Sequence, residues 1–354
     1  MIDFKNIPED QISAVHALEG VTFKSGWKII KKVKAKPGST GGSFSVCYHA
    51  EKDGQKGFLK ALNILSFLRD DNPDILQATT ESLNTFNFER DLMKKCSDKN
   101  LSKVTKLLDA GQENINGYLI ANVYYLIFER ASGDVRNHMN FSNSVDIAWK
   151  LRSLHNIATG LKQLHSIDIS HQDVKPSNIF IYDKIASKLG DLGRSLSKGH
   201  NGPHSELNFS GDNRYAPPEV FHGFFMPEWD DRVKSIDLYL LGSMAAYYFT
   251  GQSMTALLSK NINSRINILT MSFENALIYW IDAFDKVLIQ IESCISNYPQ
   301  KEELIKILRM LCYPDPRIRG HAKNIMNGKN NFRLERVVTA INVLAKKAEF
   351  NITN

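Results

Sequence analysis

Cysteine is scarce in this chain: four residues in 354, at Cys47, Cys96, Cys294 and Cys312, too scattered for a disulfide framework or a cysteine metal site. Reduced thiols of this kind suit a cytoplasmic protein. Also missing is any run of 18 uncharged apolar residues, so no membrane span is expected. The longest apolar stretch, near Leu238 to Phe249, carries three tyrosines and reads as a buried helix. Residues Met1 to Asp10 hold Asp3, Pro8 and Glu9 where a signal peptide would need an apolar run. Strong charge of either sign is lacking too. The 44 basic and 38 acidic residues leave +6, a mild excess that calls for no nucleic-acid partner. What is present is ordinary for a globular protein, 43% hydrophobic and 23% charged, which excludes disorder.

The pattern along the chain mixes strands and helices. Residues 1–26 form an extension without a clear period. Trp27 to Val33 reads as a strand whose lysines face solvent. A glycine-rich stretch follows, containing Gly38, Gly41, Gly42, Ser43 and Phe44, in which backbone N–H groups can approach phosphate oxygens. Gly57 to Leu62 is a second strand, carrying Lys60. Phe86, Phe88, Leu92 and Met93 give one apolar face to a helix that contains Glu89. The stretch Ser66 to Thr80, broken by Pro73, reads as an insertion ahead of or within that helix. Tyr118 to Phe128 reads as two paired strands ending at Glu129. From Val145 to His165 the apolar residues recur at three and four, the signature of a helix with one buried stripe. His155 and His165 within it are core or capping residues rather than ligands. A last helix, from Leu334 onward, should pack on the larger part of the molecule.

The chemistry concentrates in one loop, His171-Gln172-Asp173-Val174-Lys175-Pro176-Ser177-Asn178, lying between that helix and an apolar strand. It presents a carboxylate, an ammonium and an amide together. Taken alone, Asp173 could be a turn residue and Asn178 a strand cap. Downstream, however, comes Asp191-Leu192-Gly193, and the pair resembles the catalytic loop and metal-binding motif of the eukaryotic-type protein kinase superfamily in its serine/threonine form. The resemblance spans about residues 27–320. It implies an α+β, two-lobed fold, with a small, mainly β lobe over 27–131, a helical lobe over 132–322 and a terminal helix within 323–354. It implies ATP and Mg²⁺ as cofactors and a protein as substrate, and leaves the oligomeric state open.

By the same resemblance, Asp173 accepts the substrate hydroxyl's proton, Lys175 neutralises the transferring group, and Asn178 with Asp191 holds Mg²⁺. Lys60 would bind the α- and β-phosphates, with Glu89 as its ion-pair partner and Glu81 as the rival for that role. Gly41, Gly42, Ser43 and Phe44 would cover the phosphates. Backbone groups from Glu129 to Ala131 would receive the adenine, and Asp134 would reach the ribose. Glu219, after Pro218, resembles the end of an activation segment, paired with Arg317 or, as a substitute, Arg319. Asp237 and Gly242 match the opening of a large buried helix.

Three departures from the family pattern stand out. Gln172 replaces the arginine that a phosphorylated activation segment would grip. Asp212 occupies a position usually held by Thr, where its carboxylate should repel Asp173. Leu192 stands where Phe is usual. The expected activity is that of a serine/threonine protein kinase. A nucleotide-binding scaffold without turnover and a small-molecule kinase of the aminoglycoside-phosphotransferase type are the rivals.

Overall fold

Alternation in the first third of the chain builds a sheet. In the computed structural model, which describes residues 7–34, 45–69, 75–141, 145–183, 186–323 and 332–352, the chain divides into two compact units, Met1–Asn100 with Thr105–Ala131 and Leu101–Val104 with Ser132–Asn354. The first unit begins with a short helix α1 (Glu9–Ile12) and contains strands β1 (Lys28–Lys32), β2 (Ser45–Lys52) and β3 (Gln55–Leu62). Helices α2 (Ile64–Arg69) and α3 (Ile75–Asp98) follow, and strands β4 (Leu107–Asn114) and β5 (Asn122–Glu129) complete it. The strands form an antiparallel sheet in the order β1-β2-β3-β5-β4, which puts β3 in the middle.

Residues set apart in sequence as an extension belong to this unit's core. Ala14, Val15, Leu18 and Phe23 cluster with Trp27, Ile29, Tyr48, Leu59 and Ile127. The Tyr48 hydroxyl also donates to Val15 O at 2.8 Å. No alternation announces these residues, because they pack from short turns rather than from a regular element. The pairing expected within Tyr118 to Phe128 is corrected as well. Its first strand lies upstream, at Leu107–Asn114, and Tyr118 falls in the connection. Asp109, Gly111, Gln112 and Glu113 in that strand hide its β character. The lysine face of β1 is solvated at Lys28 and Lys31.

In the second unit, β6 (Gly133–Asp134) leads into α4 (Val135–Phe141) and α5 (Ile147–His165). Asp146 caps α5, its carboxylate accepting from the Ala148 N–H at 3.1 Å. The short strands β7 (Ile169–Ser170), β8 (Ile179–Tyr182), β9 (Ala186–Leu189) and β10 (Leu196–Ser197) come next. Then come α6 (Pro218–Phe221), α7 (Trp229–Thr250), α8 (Met254–Asn261), α9 (Phe273–Cys294), α10 (Lys301–Cys312) and α11 (Glu335–Ile352).

Helix α7 is buried almost all round from Ser235 to Ala246, as its tyrosine-containing apolar run implies. It begins at Trp229, so Asp237 lies well inside the helix rather than at its opening. Gly242 gives α10 room, since a Cβ there would collide with Cys312. The apolar stripe of α5 (Leu151, Leu154, Ala158, Leu161) is fully buried, and α11, whose Val337, Ile341, Leu344 and Ala348 are buried, packs on α5 and α10.

Candidate active site

In the first unit, Lys60 and Glu89 meet. Lys60 lies in the central strand, opposite Cys47 of β2 and Leu126 of β5. Glu89 shares its face of α3 with the buried Leu92, Met93 and Cys96, so the helix carries the carboxylate inward, where only 4% of the residue is exposed. Lys60 Nζ donates to both carboxylate oxygens, at 3.0 and 2.8 Å. Glu81, the rival, lies two turns earlier on α3 and accepts instead from Gln77 Nε2 at 2.8 Å. Of the stretch Ser66 to Thr80, the part from Ile75 belongs to α3 and Pro73 lies outside the described residues; the ion pair at Glu89 is formed all the same.

Gly41, Gly42, Ser43 and Phe44 lie outside the described residues. Glu129 ends β5; its carboxylate accepts from the Lys106 N–H at 2.8 Å, and its own N–H donates to Lys106 O at 3.0 Å. Ala131 closes the first unit. Asp134, in the second unit, uses its carboxylate locally, accepting from Asn137 N at 2.8 Å and Asn137 Nδ2 at 2.5 Å.

The second unit brings the loop residues together. Asp173 is 6% exposed, and its Oδ2 accepts from Asn178 Nδ2 at 2.9 Å and pairs with Lys175 Nζ at 2.9 Å. Its Oδ1 accepts the backbone N–H of Asp212 at 3.2 Å. His171 locks the loop from behind. Its Nε2 donates to Gly190 O at 3.1 Å, which leaves Nδ1 to accept the Asp173 N–H at 3.3 Å. That pattern selects the Nε2–H tautomer.

The β8–β9 hairpin places the two remaining groups. Ile179 pairs with Leu189, and Gly190 N donates to Asn178 O at 3.0 Å, so Asn178 and Asp191 come to the same end of the hairpin. Asn178 turns its NH₂ toward Asp173, which leaves its carbonyl oxygen with Ser177 Oγ, at 3.3 Å, as its partner. Asp191 is exposed and held at φ 58°, a left-handed conformation that a non-glycine residue adopts at a cost. One amide oxygen and one exposed carboxylate are hard donors, and they fit a Mg²⁺ that keeps several waters and substrate oxygens.

Asp212 corrects the expected repulsion. Its carboxylate is gripped by Arg214, through Nε at 3.0 Å and Nη2 at 2.6 Å, and lies 3.5 Å from Lys175 Nζ. Two carboxylates thus share two cations. The hydrogen bond from Arg214 in particular, with Lys175 adding to it, pulls the Asp212 carboxyl down to about 2. Gly211 is required just before it, because a Cβ there would collide with Gln172 O.

Asp237 was matched in sequence only as part of a helix, and its local role was not legible. It is fully buried, and its Oδ2 accepts from His165 Nε2 at 2.8 Å, Ser170 Oγ at 2.7 Å and the His171 N–H at 3.0 Å. Its Oδ1 accepts the Gln172 N–H at 2.9 Å. Burial pushes its carboxyl upward, yet His165 and the Gln172 N–H outweigh burial and hold it below the usual range. Gln172 itself is fully buried at φ 63°, its Nε2 donating to Ser170 Oγ at 2.7 Å and Val233 O at 3.0 Å. An acceptor on α7 thereby fixes the backbone immediately before Asp173. Only a histidine upstream and an aspartate inside an apolar run could have signalled it.

The buried arginine is Arg319, not Arg317. Arg319 is fully buried, and it binds both Glu219 oxygens, at 2.7 and 2.8 Å. Arg317 is half-exposed and binds Asp315 at 2.8 and 2.9 Å.

A family model described as "Protein kinase domain" matches residues 41–329. An Aurora kinase of Debaryomyces hansenii is 26% identical over 140 residues, which cover 40% of this chain and 32% of that protein. A probable LRR receptor-like serine/threonine-protein kinase of Arabidopsis thaliana is 27% identical over 200 residues, covering 54% of this chain and 20% of that protein. Calmodulin-binding receptor-like cytoplasmic kinase 3, also of Arabidopsis thaliana, is 29% identical over 180 residues, covering 49% and 32%. The chain spans a third or less of the length of these curated relatives.

Proposed function

We propose that this chain, which belongs to the protein kinase domain family over residues 41–329, transfers the γ-phosphate of ATP to serine or threonine hydroxyls of a protein. The observation that carries the reading is the buried Asp173 carboxylate, oriented at once by Asn178, Lys175 and the Asp212 N–H. A carboxylate so fixed can orient an alcohol and take its proton as the bond to phosphorus forms. Lys175, already shared between two carboxylates, supplies positive charge where a phosphoryl group would transfer. Lys60, positioned by Glu89, would bind the α- and β-phosphates. Gly41, Gly42, Ser43 and Phe44 would cover them, and the backbone at Glu129 and Ala131 would receive the adenine.

Asn178 and Asp191 would hold Mg²⁺, which when bound neutralises charge on the phosphate oxygens. Asp134, whose carboxylate already caps α4, would reach a ribose only by sharing that role. Among the described residues no helix is long and apolar enough to cross a membrane; a cytoplasmic location fits the reduced cysteines. The relatives named for serine/threonine kinase activity favour protein substrates over small molecules.

The test is phosphate transfer from labelled ATP to a protein mixture, followed by phosphoamino-acid analysis. Wild type should yield phosphoserine or phosphothreonine. Asp173→Asn should lose at least about 10²–10⁴-fold in rate while keeping the thermal shift given by ATP–Mg²⁺, and Lys60→Met should lose both. Equal transfer by wild type and Asp173→Asn would refute the assignment. A thermal shift without transfer in wild type would mark a scaffold instead.

A further inference from the structure

The Asp212 carboxylate stands beside the loop without a step of its own in the transfer, and the backbone keeps it there. In the turn that follows, the Tyr215 N–H donates to Asp212 O at 2.8 Å and the Ala216 N–H to Asn213 O at 3.2 Å. Ser253, which caps α8, donates from its Oγ to Arg214 O at 3.1 Å. At the front of the turn the Asp212 N–H donates to Asp173 Oδ1 at 3.2 Å. Tied on both sides, the turn holds Asp212 Oδ2 3.5 Å from Lys175 Nζ.

Such a carboxylate is a hazard for phosphoryl transfer. Unpaired, it would compete with Asp173 for the ammonium between them and set a second negative charge where a phosphoryl group arrives. Water would screen it little, since the Asp212 side chain is only 14% exposed. Arg214 answers with three N–H groups. Its Nη2 donates at 2.6 Å to Oδ2, the oxygen nearest Lys175. Its Nε and its backbone N–H donate to Oδ1, each at 3.0 Å. All three contacts are shorter than the one to Lys175, which stands 2.9 Å from Asp173 Oδ2 instead. With its side chain 73% exposed, Arg214 adds little by packing, so what it brings is charge.

We propose that Arg214 is a positioning residue for phosphoryl transfer: by holding the Asp212 carboxylate, it leaves Lys175 to Asp173 and the arriving phosphate. Arg214 and Asp212 then form one unit that does the work of a single neutral residue at position 212. The role presupposes the kinase activity proposed above. It is exerted through Asp212 and Lys175, not through contact with the substrate.

The test is transfer from labelled ATP–Mg²⁺ to the same protein mixture by wild type, by Arg214→Ala, and by Arg214→Ala combined with Asp212→Thr. Arg214→Ala should lose roughly 10- to 100-fold in rate at saturating ATP and acceptor. The ATP and acceptor concentrations that give half the maximal rate should change little. Adding Asp212→Thr should restore most of the lost rate, because the charge that Arg214 holds is then gone. Equal losses in the single and the combined variant, the pattern of a purely structural pair, overturn the proposal. So does a rise in the half-saturating acceptor concentration at an unchanged maximal rate, which would make Arg214 a substrate contact. Arg214→Ala working at the wild-type rate overturns this role and leaves the kinase activity standing, whereas absence of transfer by wild type overturns both. If Arg214→Ala fails to fold, as followed by circular dichroism, Arg214→Gln keeps the length of the side chain without its charge; it should show the same loss and the same rescue, and the same results overturn the proposal.

Discussion

At the scale of single residues, the balance of charge around Asp173 decides what the loop can do. Asp212 in place of a hydroxyl residue would leave two carboxylates facing one lysine, and Arg214 restores neutrality by binding Asp212 through two nitrogens. Because its carboxyl is held at about 2, Asp212 stays ionised through the whole physiological range. The sign of the linkage follows: a depressed pKa stabilises the fold above the ordinary aspartate value of about 4. That contribution fades as pH falls from about 4 toward about 2. Urea midpoints of wild type and Asp212→Asn should therefore differ by a constant amount at pH 7 and pH 5 and by clearly less at pH 3. A difference that already shrinks between pH 7 and pH 5 would contradict the depressed pKa.

Arg319 allows a second test at this scale. Removing one partner of a fully buried ion pair strands the other charge, which costs about 3–5 kcal/mol. Glu219→Gln should therefore lower stability by roughly that amount in urea unfolding. Arg317→Ala, which removes a guanidinium 43% exposed between the buried Asp315 and the exposed Glu274, should cost less, about 1 kcal/mol. A reversal of these two would return the buried role to Arg317. Both arginines sit two residues apart in one polar turn, so sequence alone left the choice open.

At the scale of elements, packing ranks above surface ion pairs in fastening the last helix. On α11, Val337, Ile341, Leu344 and Ala348 are buried, whereas the Glu349 side chain that binds Arg152 is 43% exposed. Ile341→Ala should cost about 2–5 kcal/mol, and Arg152→Ala about 1 kcal/mol or less. Amide exchange across Glu335–Ile352 should quicken far more in the first variant than in the second. Helix α5 was legible because its apolar residues repeat at three and four, and α7 because its apolar run from Leu238 to Phe249 is unbroken by charge. Strand β4 was not, because its polar residues carry weak β preference and it is held by pairing with β5.

For the whole molecule, the two units differ in how much their sequences announce. Residues before Trp27 showed no period, yet Val15, Leu18 and Phe23 are buried in the first unit's core. Each contributes about 1.5–3 kcal/mol by burial, against a net domain stability of about 5–15 kcal/mol. Deleting residues 1–26 should therefore lower the unfolding temperature sharply or abolish the cooperative transition, as followed by circular dichroism. A truncated chain melting with the wild type would show this segment to be dispensable.

The order of Lys60, Glu89, Asp173, Asn178 and Asp191, the helical periods and the family they point to were determined by the sequence, because side-chain type and spacing follow directly from it. The tertiary structure decided which charges meet. It chose Arg319 over Arg317, turned the expected repulsion at Asp212 into a pair with Arg214 and Lys175, and placed Asp237 beneath the loop. Such choices depend on distances of about 3 Å between residues far apart in the chain, and on burial that sets what an unpaired charge costs.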